Sequence, residues 1–184
     1  MAKAMISGGH LEKEFAAIMT NLNTQLDKIK NRTNKGLILA AIEVRRDMEG
    51  TPPLIPLDYG NLRASWFVVT GINSDVSVKK YEVKGGNFKK AETVSKLAEI
   101  KTVHAETLTE MRTTLSTIPC GVGMGFGAYY AAAVHENVTA RFYRPEDTKH
   151  PGRQGSGAKF FQSAIYRNIG NILAIVRTNA QVRP

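Results

Sequence analysis

Between residues 11 and 49 a side chain of one face returns every three or four positions: Leu11, Phe15, Ile18, Leu22, Leu26, Ile29, Thr33, Leu37, Ala41, Val44 and Met48. That period is the stripe of an α-helix, and an element of about 40 residues constrains everything that must pack against it. Its weak point is "NRTNKG" (31–36), because Asn, Thr and Gly are poor helix formers. The stretch is one long helix or two collinear ones. Gly50 followed by Thr51, Pro52 and Pro53 stops it.

After this stop the period changes. "TPPLIPLDYGNLRASW" (51–66) is a Pro-rich loop, in which Asp58 or Asn61 can cap a turn and Gly60 offers a left-handed position. "ASWFVVTGI" (64–72) is aromatic and β-branched and reads as a strand. "VSVKKYEVKGG" (76–86) reads as its partner. Residues 88–115 return to helical spacing, with Ala91, Val94, Ala98, Ala105, Leu108 and Leu115 near one face and Lys101 interrupting it. We expect there an exposed helical excursion, or half of a hairpin packed on a neighbour.

In "IPCGVGMGFGAYYAAAVHEN" (118–137) glycines at 121, 123, 125 and 127 alternate with Val122, Met124 and Phe126, a period of two. One face of such a strand carries almost no side chains, which suits a backbone or helix lying close over it. "AYYAAAVHEN" is then a short helix or a turn and strand. Residues 138–157 form a long basic loop, and 158–182 an amphipathic helix with Phe161, Ala164, Ile165, Ile169, Ile172 and Val176 on its apolar side. The fold class expected is α+β: one domain over 1–184, with a small antiparallel sheet flanked by the N- and C-terminal helices, which pack on one side of it.

The residues argue against several functions. No run approaches eighteen apolar residues, so no transmembrane helix is expected. The N-terminus lacks a signal-peptide core, and a lone cysteine, Cys120, forms no internal disulfide; both point to a cytoplasm. "GVGMGFG" lacks the spacing of a dinucleotide loop, and "GRQGSGAKF" (152–160) lacks the Gly-Lys-Ser/Thr ending of a phosphate loop. "HENVT" lacks the second histidine of a helical zinc pair, and His10, His104, His135 and His150 are scattered. A Cys120–His135 nucleophile pair stays open beside the reading of Cys120 as a small buried hydrophobe. No catalytic residue, metal or cofactor is assigned, and no enzyme is expected. The net charge is +9, unevenly placed: 17 Lys/Arg against 13 Asp/Glu in residues 1–118, but 8 against 3 in 119–184. That excess suits a solvated surface or contact with a polyanion.

Three segments, in this order and spacing, resemble a family of tailed-bacteriophage morphogenesis proteins called tail-completion, head–tail joining, putative tail-component or minor capsid proteins. "IPLDYGNLRASW" (55–66) is similar to its Pro-x-x-x-Gly-x-Leu-Arg-x-Ser segment, "GAYYAAAVHEN" (127–137) to its Tyr-Ala-x-x-Val-His/Glu-Glu segment, and "AKFFQSAI" (158–165) to the start of its final helix. Residues 73–118 are longer than the family's hairpin and look like an insertion. The resemblance implies a virion structural protein of the neck, assembled in the host cytoplasm and placed between portal or connector and tail tube. It further implies a homo-oligomeric ring, most often of six, through whose lumen DNA passes, with adjacent neck, connector and tail-tube proteins as partners and no membrane. Completion, terminator and head-closure rings all fit. A basic, non-enzymatic DNA-binding accessory protein is the alternative from another class.

On that reading Pro56, Gly60, Leu62, Arg63, Tyr129, Tyr130, His135 and Glu136 are candidates for a subunit or partner interface. Gly60 allows a tight turn that Leu62 anchors. Arg63 suits a salt bridge between subunits, or is a solvated arginine. Tyr129 and Tyr130 offer flat area with a polar tip. His135 and Glu136 pair across a subunit boundary, or form a locally satisfied cap. Phe160 and Phe161 are core anchors of the last helix. The basic loop residues Arg141, Arg144, Lys149 and Arg153 face DNA or dock on a neighbouring ring, the latter being favoured; in six copies they would build a positive collar whose effect falls with salt.

Overall fold

A computed structural model describes residues 8–57, 61–71, 90–148 and 151–181. In chain order it contains α1 (Gly8–Gly50), α2 (Asn61–Ala64), β1 (Trp66–Thr70), α3 (Lys90–Ser116), β2 (Val122–Phe126), α4 (Ala131–Glu136) and α5 (Phe160–Ala180). The fold is α+β.

α1 is one helix of 43 residues, about 65 Å long. The poor helix formers at 31–36 do not break it. Thr33 returns its hydroxyl to the Ile29 carbonyl (2.9 Å), and at Gly36 α5 comes close. A Cβ at Gly36 would lie 3.0 Å from the Asn179 Cβ and 3.2 Å from the Val176 Cα. The residue that weakens the helix locally is therefore the one that lets a second helix seat on it.

β1 pairs antiparallel with β2, in the register Trp66↔Phe126, Phe67↔Gly125, Val68↔Met124, Val69↔Gly123 and Thr70↔Val122. The segment 76–86, expected as the partner of β1, lies outside the described residues. Because side chains alternate, Trp66, Met124 and Phe126 face a core built by Val44, Met48, Ile55, Leu62, Ala128, Phe160 and Ala164. Phe67 and Val69 face the other way, onto Leu108, Met111 and Leu115 of α3. The helices thus sit on both faces of the sheet, not on one side as the element order suggested.

The alternating glycines explain how α3 gets so close. A Cβ on Gly123 would come within 2.5 Å of Met111 Cγ. On α3 the packed face is Leu108, Met111 and Leu115, while Ala105, expected on it, is exposed. The threonines of this helix return hydroxyls to carbonyls four residues back, as in Thr107 to Val103 and Thr113 to Thr109. Gly123→Val should push α3 off the sheet and destabilise the protein by about 1–3 kcal/mol, read as a lower urea midpoint. Gly123→Val combined with Met111→Ala should recover part of that loss. An unchanged midpoint in the single variant would mean that α3 does not lie where described.

α5 packs antiparallel along the C-terminal half of α1. At one end Arg167 reaches Asp47, and at the other Arg32 Nη1 donates to the Gln181 carbonyl (3.3 Å). Its buried positions are Phe160, Ala164 and Asn168. Ile169, expected on the apolar side, is 57% exposed. Asn168 takes the inward place because its amide is satisfied within the helix, donating to the Ala164 carbonyl (2.9 Å). No helix among the described residues is long and apolar enough to cross a membrane.

Candidate functional site

The three segments carrying the family resemblance converge at one end of α1, where that helix, the loop 51–57, α2, α4 and the loop before α5 meet. Two polar clusters hold this end together.

The first centres on Glu49, in the last turn of α1. Its Oε1 accepts from Arg45 Nη2 (2.6 Å) and from Arg63 Nε (2.7 Å). Oε2 accepts from Arg153 Nη1 (2.9 Å), and the Glu49 carbonyl accepts from Arg153 Nη2 (2.6 Å). One carboxylate thus serves three guanidinium groups from three elements. Arg45 also donates to the Arg63 carbonyl (3.0 Å) and lies 5.6 Å from the Trp66 ring centroid. The arrangement suits the end of a helix, where carbonyls lack partners and the dipole favours cations.

The second cluster repeats this logic. Arg167 of α5 grips Asp47 with Nε (3.0 Å) and Nη2 (2.5 Å), and donates to the Pro52 (3.1 Å) and Thr51 (3.2 Å) carbonyls. It ties α5 to both the last turn of α1 and the loop that follows. That loop continues beside residues 155–157: Leu54 N–H donates to the Gly155 carbonyl (2.8 Å) and Gly157 N–H to the Leu54 carbonyl (3.2 Å).

The polar end of α4 forms a clasp on α5. Lys159, just before α5, has φ 57°, a left-handed backbone unusual for a side chain with a Cβ. Its N–H donates to the His135 carbonyl (2.7 Å), and its Nζ pairs with Glu136 Oε2. No side chain of the preceding residue caps α5; instead Gln162 N–H donates to His135 Nε2 (3.3 Å). With Nε2 accepting, the ring proton sits on Nδ1, which donates to Glu136 Oε1 (2.7 Å). The His135 ring packs edge-on against Phe160 (5.1 Å between centroids), which in turn meets Phe126 (5.5 Å). His135 and Glu136 therefore form the locally satisfied cap, closing on α5 of the same chain.

The hydrogen bond from Lys159, and after it the one from His135, hold the Glu136 carboxyl below its ordinary value of 4.5. A carboxylate depressed in the folded state contributes stability that is complete above its unfolded value and is lost as pH falls through the folded one. Stability should therefore decline as pH drops below about 4.5, and Glu136→Gln should flatten that part of the curve. Urea titrations between pH 3 and 6 on both proteins test this; parallel curves would show that the clasp is not formed in solution.

The remaining expected residues are dispersed in role. Leu62 is 4% exposed and belongs to the core, so it is not available to a partner. Its place beneath Met48 and Ile55 in that core is why. Pro56 is half-buried in the loop, and Gly60 lies outside the described residues. Arg63 makes an ion pair with Glu49 inside the chain and keeps about half of its side chain exposed. Tyr129 is 69% exposed, with its ring set edge-on to Tyr130 (5.2 Å). In the basic loop Arg153 is bound to Glu49, and Arg141 pairs with Glu146 (3.0 Å). Arg144 anchors its loop through the backbone, donating to the Pro151 carbonyl (2.7 Å). Lys149 lies outside the described residues. Among the described residues of this loop, Arg153 is drawn inward by the end of α1 and Arg141 is already paired, so neither is an uncommitted cation.

Both ring nitrogens of His135 are engaged, which leaves it poorly suited to activate the half-buried Cys120 thiol. Among the described residues no group of three His, Cys, Asp or Glu side chains is placed to hold a metal. Compared with known protein families, curated proteins and solved structures, the chain has no match.

Sequence reasoning missed Glu49, Asp47, Arg167 and Lys159. The i,i+4 pair Arg45–Glu49 was the one local signal, and it sits in the last two turns before the Gly-Thr-Pro-Pro stop. The other partners are non-local: Arg153 lies 104 positions from Glu49, Arg167 lies 120 from Asp47, and Lys159 lies 23 from Glu136.

Proposed function

We propose that this chain is a non-enzymatic structural protein of a tailed-bacteriophage virion, a ring-forming neck component of the tail-completion or head–tail joining kind. It would join the portal or connector to the tail, with the adjacent neck and tail-tube proteins as partners and a homo-oligomeric ring, six subunits first, as its working form. The observation that supports this reading most is convergence. The segments 55–66, 127–137 and 158–165, which carry the resemblance, supply Ile55, Leu62, Ala128, Phe160 and Ala164 to a single core, and the last two segments are clasped through His135, Glu136 and Lys159.

On this reading the surface left for partners is the exposed Tyr129 ring and the outer face of α5, where Tyr166, Ile169 and Leu173 are 66%, 57% and 62% exposed. Aromatic and aliphatic side chains of this kind supply interface anchors. The pairing of Arg153 and Arg141 within the chain weakens the reading as a DNA-binding accessory protein. The test is to image purified virions of the source phage after labelling this protein, and to weigh the protein released from them. A ring at the head–tail junction supports the proposal. Absence from particles, or tight salt-sensitive DNA binding by the free chain, would overturn it.

A further inference from the structure

Among the described residues, nothing is folded against the first half of α1 ahead of Lys28. α5 covers α1 only from the Asp47 grip back to Arg32. Ahead of that point every residue from Glu12 to Lys28 is exposed. Among them are Phe15 (67% exposed), Ile18 (55%), Met19 (45%), Leu22 (53%) and Leu26 (52%). At about 100° per residue these five lie within a stripe roughly 100° wide. The stripe is collinear with Val44 and Met48, which are fully buried, so it prolongs an interface that the chain already uses. A helical arm of this length is marginal alone in water, and a contiguous apolar patch marks a contact surface.

The charges along the stripe select the occupant. Glu12 and Lys30 are eighteen residues apart, about five turns, and stand on the same edge of the stripe. Glu14 and Lys28 share the opposite side. Acid thus lies at the start of the arm and base at its end. Two arms laid antiparallel about residue 21 set each Glu12 beside Lys30 of the other copy and each Glu14 beside its Lys28. A parallel pair would set acid against acid. Among the described residues Lys30 lines a shallow cavity with Gly71, Ser116 and Ile118, and its ion pair is a 3.5 Å contact with the exposed Asp27, which yields at little cost. The outer face of α5 is a poorer match for the arm, because α5 carries arginines but no Asp or Glu to meet Lys28 and Lys30.

We propose that the arm pairs antiparallel with the arm of a second copy of this chain, across a two-fold axis near residue 21. Five large apolar side chains from each arm, doubled by the axis, bury on the order of 1,000 Å², the lower limit for a specific interface. A contact of this kind is isologous and closes at two copies. It is therefore a property of the free chain, independent of the neck reading, and any ring must use other surfaces.

The experiment is light scattering coupled to size exclusion on the full chain, over concentration and at 0.15 M salt. The expected mass is twice 20.2 kDa. The double variant Ile18→Lys with Leu22→Lys should be monomeric, its dissociation constant raised at least 100-fold, with an unchanged near-ultraviolet circular dichroism spectrum because the arm is outside the core. Glu12→Lys and Lys30→Glu should each weaken the dimer about 10-fold, and the two together should restore it. A wild-type monomer at 100 µM overturns the proposal, as does a dimer that survives the Ile18 and Leu22 variant. Failure of the double charge swap to restore the dimer also overturns it. So does a dimer lost on Ile169→Asp, which would place the arm on α5. A wild-type hexamer whose mass the arm variant leaves unchanged sinks the pairing and leaves the neck reading intact, whereas a paired dimer missing from virions does the reverse.

Discussion

Glu49→Ala is expected to lower the melting temperature by about 10 °C. The carboxylate holds Arg45, Arg63 and Arg153 together at the end of α1. Removing it leaves three like charges crowded where only 18–49% of each side chain reaches water. Stripping one partner from an ion-pair cluster costs more than the cluster is worth in total, because the survivors keep their desolvation and lose their attraction. For partly exposed groups this is about 2–4 kcal/mol, and each kcal/mol moves the midpoint of a protein of this size by about 2–4 °C. Glu49→Gln should behave almost as badly, since an amide keeps the shape without the charge. Arg153→Ala should cost less than Glu49→Ala, and the pair should be far from additive. Scanning calorimetry on the four proteins decides it. A shift below about 2 °C for Glu49→Ala would mean that the cluster is not formed.

Phe160→Ala is expected to be more damaging still, by about 3–5 kcal/mol, or to leave the protein insoluble. Phe160 is 1% exposed and belongs to the core shared by α1, the loop after it and α5. Its ring meets Phe126 and His135 edge-on. Truncation therefore opens a cavity and also frees the imidazole that caps α5. Phe160→Leu should retain most of the volume and cost less than half as much. Urea unfolding measures both. Equal losses in the two variants would show that ring geometry, rather than filled volume, carries the effect.

What could be read from the sequence followed from short periods. The three- and four-residue spacing marked α1 over nearly its whole length, and the two-residue alternation of glycines marked β2 and the close approach over Gly123. Phe160 was legible as a core anchor. The partner of β1 was not, because pairing is non-local: more than fifty residues separate Thr70 from Val122, and nothing in either strand names the other. The rotation of α5 was misread at Ile169 because that helix has aliphatic residues almost all the way round. What sets its rotation is the grip of Arg167 on Asp47, a contact between residues 120 positions apart. The interface candidates fared unevenly for a similar reason. Arg63 and Arg153 look like free surface cations in a linear reading, and only folding brings Glu49 between them.

The antiparallel packing of α5 on α1 also sets a timetable. The ends of these helices that meet, Gly50 and Phe160, are 110 residues apart in the chain. At roughly 5–20 residues per second of synthesis, α1 waits about 6–22 s before the helix that covers its C-terminal half has begun to emerge. Throughout that interval the apolar face of α1 lacks α5, and for about the first two-thirds of it β2 as well. On a message carrying several ribosomes, neighbouring nascent chains would each present the same uncovered helix at the same time, and Glu12 and Lys30 would bias any encounter toward one orientation.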